Sequence, residues 1–165
     1  MKPAAEKVQA VIRQLGLDRE VIDLGAQART SEQAARAVGV SVGQIAKSLV
    51  FLVDETPVLV VASGVNRVDE QKLGRLVGGT VRRADPETVK RATGYSIGGV
   101  APLGHPAPLP IYIDPDLLGH PLLYAAAGGA ESVFPLTPDE LVRATGGRVA
   151  EIKQEVIRVE RGEST

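Results

Sequence analysis

The stretch that decides the fold is Ile45-Ala46-Lys47-Ser48-Leu49-Val50-Phe51-Leu52-Val53, then Asp54-Glu55-Thr56, then Pro57-Val58-Leu59-Val60-Val61-Ala62. Both apolar runs are rich in β-branched residues and a short polar break separates them, which reads as a β-hairpin. Side chains alternate between the faces of a strand, so Ile45, Lys47, Leu49, Phe51 and Val53 share one face. Four of these five are large and apolar, so that face turns to a core. A lysine there must reach for water, pair, or point into a cleft, because an isolated buried ammonium is costly. A lysine at the frayed start of a strand, with its head in water, accounts for the pattern equally well.

Working toward the N-terminus, Thr30 followed by Gln33 forms a capping-box pattern, and a helix over Ser31 to Val38 should end at Gly39. Val21 to Leu24 is a short strand candidate. Val8, Val11, Ile12 and Leu15 recur at helical spacing and predict a helix over 4–15, stopped by Gly16.

Toward the C-terminus, Val68 to Val77 reads as a helix closed by Gly78-Gly79, and Thr80 to Arg83 as a short strand. Asp85-Pro86 supplies an N-cap and a first-turn proline for a helix to about Ala92. Thr93 to Pro110 is dense in glycine and proline. Long irregular segments inside a domain are usually functional or disordered. Tyr95, Ile97, Val100 and Leu103 give this one anchors, so an ordered loop is expected. Ile111 to Ile113, Leu122 to Ala126 and Ser132 to Leu136 are strands, the first two joined through Asp114-Pro115-Asp116. Thr137-Pro138-Asp139-Glu140 opens a helix to about Ala144, and Arg148 to Ile152 is a last strand. The charged tail over 153–165 is expected to be mobile. Strands outnumber helices and often follow one another directly. This is an α+β pattern with a mixed sheet, in one domain over 1–165.

Composition narrows the chemistry. The chain has 165 residues and no cysteine, so a disulfide framework, a thiol nucleophile and a Cys-based metal site are excluded. With 19 Lys+Arg against 20 Asp+Glu, a surface that grips long nucleic acid by charge alone is not expected. The few aromatics (Tyr95, Tyr112, Tyr124, Phe51, Phe134) do not make a base-stacking platform. The opening residues lack the apolar stretch of a signal peptide, and no run is long enough to span a bilayer; a cytosolic protein is expected.

Motifs for side-chain catalysis are missing. His105 and His120 each sit in a Gly/Pro turn and read as exposed loop histidines, without the spacing of a metal site. There is no nucleophile elbow, no phosphate-binding glycine motif and no unexplained carboxylate pair. What remains is Lys47 and the run Gly98-Gly99-Val100-Ala101-Pro102-Leu103-Gly104. Glycines allow positive φ, and successive free amides can cradle an anion or oxyanion. A turn-rich connection without a ligand explains the same composition. Gly128-Gly129 reads as a plain turn. Arg82/Arg83, Lys90/Arg91 and Arg67/Lys72/Arg75 could touch phosphates, although solvated faces are the commoner reading.

Taken in order, Thr30-Ser31-Glu32-Gln33-Ala34-Ala35, Val38-Gly39-Val40, Gln44-Ile45-Ala46-Lys47-Ser48-Leu49-Val50-Phe51, Val68-Asp69 with Lys72-Leu73, Gly94-Tyr95-Ser96-Ile97-Gly98-Gly99-Val100-Ala101-Pro102-Leu103-Gly104, and Ala127-Gly128 with Phe134 and Leu136 to Leu141 form a pattern. It resembles the YbaK-like family, freestanding relatives of the editing domain inserted in bacterial prolyl-tRNA synthetase, over about residues 20–150. The resemblance implies a mixed, partly barrel-like sheet with flanking helices. It implies hydrolysis of the ester of mischarged aminoacyl-tRNA, mostly tRNA(Pro), without a cofactor. Lys47 would contact the phosphate or ribose region of the 3′-terminal adenosine. The amides of Gly98 and Gly99 would meet the aminoacyl carbonyl, with Pro102 shaping the loop. Ser48, Ser63, Gly64 and Gly128 would form pocket wall. A hydroxyl of the terminal ribose, or in some members the substrate thiol, would help in place of a protein general base.

The implied partners are the acceptor end of aminoacyl-tRNA and a prolyl-tRNA synthetase, with neither a membrane nor DNA. Ala127 and Phe134 are apolar where cysteine-releasing members carry a polar Ser and an Asp, which points to a small, apolar amino acid. Two other readings stay open on sequence: a non-catalytic tRNA- or synthetase-binding module of the same fold, and a small-molecule ester or amide hydrolase.

Overall fold

A computed structural model describes residues 2–26 and 28–155. The hairpin forms as the sequence reads: β2 (Ile45–Val53) pairs antiparallel with β3 (Thr56–Ser63) along its whole length. Its turn is two residues, Asp54 and Glu55, at φ 47° and 72°. A two-residue hairpin loop of this hand matches the strand twist, but left-handed φ is costly for residues with a Cβ. The neighbouring chain holds them there. Asp54 N–H donates to Thr80 O at 3.0 Å, Thr80 N–H donates to Asp54 Oδ1 at 3.0 Å, and Arg82 donates to both Glu55 oxygens at 2.9 Å.

The other strands are β1 (Ile22–Asp23), β4 (Val81–Arg83), β5 (Ile111–Ile113), β6 (Leu123–Ala126), β7 (Ser132–Leu136) and β8 (Arg148–Val149). They form one mixed sheet in the order β1-β7-β6-β2-β3-β5-β8, with β4 branching from β2. Strand β2 thus has β3 on one side and two partners on the other: β6, parallel, at Ile45 and Ala46, and β4, antiparallel, at Phe51 to Val53.

Helices cover both faces. On one, α1 (Pro3–Gln14), α4 (Pro86–Thr93) and α5 (Pro138–Thr145) deliver Val8, Ile12, Val89 and Leu141 into the main core, beside Val50, Leu52, Leu59 and Val61 of the hairpin. On the other, α3 (Glu70–Val77) packs Leu73 on Phe51, Val53, Val58 and Val60. The short α2 (Ser31–Val38) makes a third cluster with Ile45. The hairpin is therefore buried on both faces, which is why its sequence reads as nearly continuous apolar residues.

Caps explain where the helices begin. Thr30 and Thr137 each form a capping box, with Gln33 and Glu140, and Asp69 and Asp85 accept first-turn amides. Strand β8 ends at Val149, short of the expected Ile152, because Ile152 turns inward as a fully buried side chain of the α3 core. Of the tail, 153–155 are described: Val68 bridges Lys153, and Lys153 Nζ donates to Asp116 Oδ2 at 2.8 Å. The expectation of mobility over 156–165 lies outside the described residues.

The segment after α4 is ordered by its own side chains. Tyr95 is buried, and its hydroxyl donates to Leu103 O at 2.8 Å. Val100 and Leu103 are buried as expected, but Ile97 is 60% exposed and anchors nothing. His105 is also not the exposed loop histidine expected. It is half-buried, edge-on to Tyr95, and its Nε2 lies 2.9 Å from Ala101 O, an acceptor to which that nitrogen must donate. Burial lowers its pKa. His120 is half-buried as well.

Asp114 ties the end of β3 to the turn after β5. Fully buried, it accepts from Ser63 N–H at 3.0 Å, Asn66 Nδ2 at 2.8 Å and Asp116 N–H at 2.9 Å. Replacing Asp114 with Ala leaves a buried amide unpaired, and urea unfolding should show a loss of about 2–3 kcal/mol.

Candidate functional site

Lys47 stands on the β2 face between two small cores: Ile45 belongs to the α2 cluster on one side, and Leu49 and Phe51 to the α3 cluster on the other. Neither core closes over it, and the side chain is half-buried. Its pKa is lowered, first by burial and then by the Arg67 guanidinium, with Glu32 acting against this. Among the described residues no carboxylate lies within ion-pair distance of it. Half-buried, unpaired and cationic, Lys47 is suited to receive an anion.

A cavity of about 310 Å³ opens beside it. Its wall takes in Ile45 to Val50 of β2, Thr30 and Ser31 at the start of α2, Arg83, and Ile97, Gly98 and Val100 of the glycine loop. The two features singled out in sequence, the lysine and the bend, do meet at one hollow.

Gly98 carries φ +90°, the left-handed region open to glycine. The Gly99 amide is engaged within its own loop, which corrects the expectation for that residue. Its N–H donates to Ser96 O at 3.0 Å and is not free for a ligand. A Cβ on Gly99 would lie 2.6–2.8 Å from the backbone of Gly129, so glycine is what lets the two loops touch. Gly98 and Val100 line the cavity; Gly99 and Pro102 do not.

The other expected wall residues divide. Ser48 lines the cavity. Ser63 does not: it is fully buried, donating its hydroxyl to Gly43 O at 2.9 Å and its amide to Asp114. Gly64 also lies outside the wall, packed where a Cβ would come within 2.5 Å of Val42 O. Gly128 lines a separate, smaller hollow beside Ala4 and Ala5. The hairpin end and the β6–β7 turn are packed against other chain segments, which keeps these three residues off the wall of the larger cavity. Ala127 and Phe134 are likewise in the main core, one residue out of phase with the wall, which is formed there by Ala126 and Val133. The apolar character argued from Ala127 and Phe134 holds for the cavity through these neighbours and through Ala34, Val89 and Val100.

Sequence reasoning missed Thr30, Ser31 and Arg29 as cavity residues; the capped helix start at Thr30, close upstream of the lysine strand, was the available signal. Of the basic clusters, Arg82 is engaged by Glu55 and Lys72 by Lys153 O and Glu155. Arg83 lies over the Phe51 ring at 5.9 Å and reaches the cavity. Among the described residues no group of three His, Cys, Asp or Glu could hold a metal, and no helix is long and apolar enough to cross a membrane.

A mixed sheet carries a cavity beside a glycine bend, lined by cationic and apolar side chains and by no carboxylate among the described residues. Comparison with known proteins shows the family. The model of the aminoacyl-tRNA editing domain matches residues 25–144, and the chain belongs to that family. The uncharacterised protein YwhH of Bacillus subtilis is 34% identical over 137 residues, 82% of this chain and 87% of its own. A protein of Enterococcus faecalis named, provisionally, as the Cys-tRNA(Pro)/Cys-tRNA(Cys) deacylase EbsC is 29% identical over 125 residues, 74% of this chain and 76% of its own. A crystal structure described, again provisionally, as a trans-editing enzyme for prolyl tRNA synthetase superposes with a TM-score of 0.91 at 47% identity, covering 94% of this chain and 99% of that one.

The unpaired ammonium makes a stability prediction. Lys47→Met keeps the stem's packing and removes a half-buried charge that has no ion-pair partner among the described residues, so it should raise stability by roughly 0.5 kcal/mol or more in urea unfolding.

Proposed function

We propose that the protein is a trans-acting hydrolase that deacylates mischarged aminoacyl-tRNA, with tRNA(Pro) carrying a small apolar amino acid as its substrate. The single observation that supports this most is the meeting of Lys47 and the Gly98–Val100 bend at one cavity whose wall also carries the small apolar residues Ala34, Ala126 and Val133. Family membership supports the reaction class, and the names of the two relatives above support tRNA(Pro) and a synthetase partner.

In this reading Lys47 holds the phosphate or ribose of the terminal nucleotide, and the free amides at Gly98 and Val100 face the ester carbonyl. An aminoacyl ester is already activated, so positioning together with stabilisation of the developing oxyanion is sufficient. Water adds to the carbonyl carbon. The tetrahedral intermediate then expels the ribose oxygen, which takes a proton, leaving free amino acid and tRNA. The neighbouring ribose hydroxyl orients the water, since no histidine or carboxylate lines the cavity. Ala34, Ala126 and Val133 leave room for a small side chain. An apolar pocket separates neighbours differing by one methylene by only about 1–3 kcal/mol, so close homologues are removed together.

Purified protein incubated with a panel of mischarged tRNAs tests this by loss of each aminoacyl ester. Small apolar esters on tRNA(Pro) should be cleaved fastest, and Lys47→Ala should fold but lose about a hundredfold or more in kcat/KM. Full activity of Lys47→Ala removes the lysine from the mechanism. Binding of the acceptor stem without ester release, at stoichiometric protein, indicates a non-catalytic module, and equal rates on a free amino-acid ester indicate a small-molecule hydrolase.

A further inference from the structure

Alternating side chains mean that a cavity on one face of a strand touches every second residue. This cavity touches Ile45 through Val50 in unbroken succession, so it lies against the edge of β2. That edge is interrupted. Strand β6 covers it only at Ile45 and Ala46 and β4 only at Phe51 to Val53. Between them, Ala84 N–H donates to Val50 O at 3.3 Å.

The hairpin fixes which groups face the gap. Val53 and Thr56 flank the two-residue turn as a hydrogen-bonded pair, and Gly64 N–H donates to Ile45 O at 2.8 Å in the same phase. Odd-numbered residues therefore aim their main-chain groups at β3, and even-numbered ones aim away from it. Ser48 N–H, Ser48 C=O and Val50 N–H point into the gap, and no ladder pairs them among the described residues. At the same place, Ser48 Oγ is buried without a hydrogen-bond partner. A buried polar group is almost always paired, so a buried hydroxyl without a partner, beside a strand edge that no ladder covers, points to a place that takes a ligand.

Resting on the editing function above, we propose that this open edge reads the adenine of the terminal nucleotide: Ser48 O accepts from the N6 amino group and Val50 N–H donates to N1. A carbonyl at one residue and an amide two residues on present an acceptor and a donor side by side, the complement of that edge of adenine. Ala84, Val89 and Val100 line the same cavity and flank a flat ring with apolar surface. The competing occupant, the ammonium of the amino acid, is disfavoured because Arg29, Lys47 and Arg83 line the cavity and no carboxylate does.

Acceptor-stem minihelices ending in 3′-alanylamino-3′-deoxyadenosine, a stable amide in place of the ester, test the assignment by calorimetry on the full chain. Counterparts ending in the purine riboside, which lacks the N6 amino group, and in inosine, which reverses donor and acceptor, should bind about ten- to a hundredfold more weakly. The amide resonances of Ser48 and Val50 should shift with the adenosine form. Equal affinities for the three, with mischarged tRNA still hydrolysed, overturn the adenine assignment and leave the editing function standing. Failure to bind any of them while tRNA is hydrolysed overturns it too. Absence of both binding and hydrolysis overturns the editing function and this assignment together.

Discussion

One strand with three neighbours organises this molecule. Strand β2 is fully paired with β3 on one side, and on the other it is shared between β6 and β4, which approach from opposite ends and do not meet. Closing that gap with a continuous strand would satisfy the edge but leave no cavity. Keeping it open requires that the hairpin be stable without those ladder bonds, and two buried faces provide that stability. The same gap interrupts the packing beneath Lys47, because α2 and α3 cover the strand's two ends and not its middle.

The site that results, in the function proposed, works by placement. In the proposed reading, a half-buried cation, a glycine bend and a wall without histidine or carboxylate offer no strong acid or base, and an activated ester needs none. The burden falls on geometry, which explains how firmly the bend is tied down. Tyr95 and His105 fasten its far end to Leu103 and Ala101, Lys7 of α1 lies 4.8 Å above the Tyr95 ring, and Gly99 sits against Gly129 with no room for a methyl group. A loop fastened by its own side chains holds its amides in place before a substrate arrives.

Much of this was readable from the residues. Local signals were strong where helices start, because Thr30 with Gln33 and Thr137 with Glu140 are complete caps within four residues of chain. The hairpin was legible from its two apolar runs, and the lysine stood out as the one charge on an apolar face. Long-range packing was not legible. Ser63, Gly64 and Gly128 lie near the site in sequence, but the wall excludes them, since Asp114, Val42 and Ala4 reach them from distant parts of the chain. The single-residue phase between Ala127 and Ala126, and between Phe134 and Val133, decides core against cavity, and composition carries no such phase. The open β2 edge was beyond sequence altogether, because it depends on where β6 and β4 stop.

The central claim is that the 3′ end of an aminoacyl-tRNA lodges between Lys47 and the Gly98–Val100 bend. A crystal structure of the protein with a non-hydrolysable aminoacyl minihelix tests it most directly. The account predicts a phosphate or ribose oxygen within hydrogen-bonding reach of Lys47 Nζ and the aminoacyl carbonyl against the amides of the bend. An RNA terminus bound elsewhere on the surface, with the cavity beside β2 untouched, would contradict it.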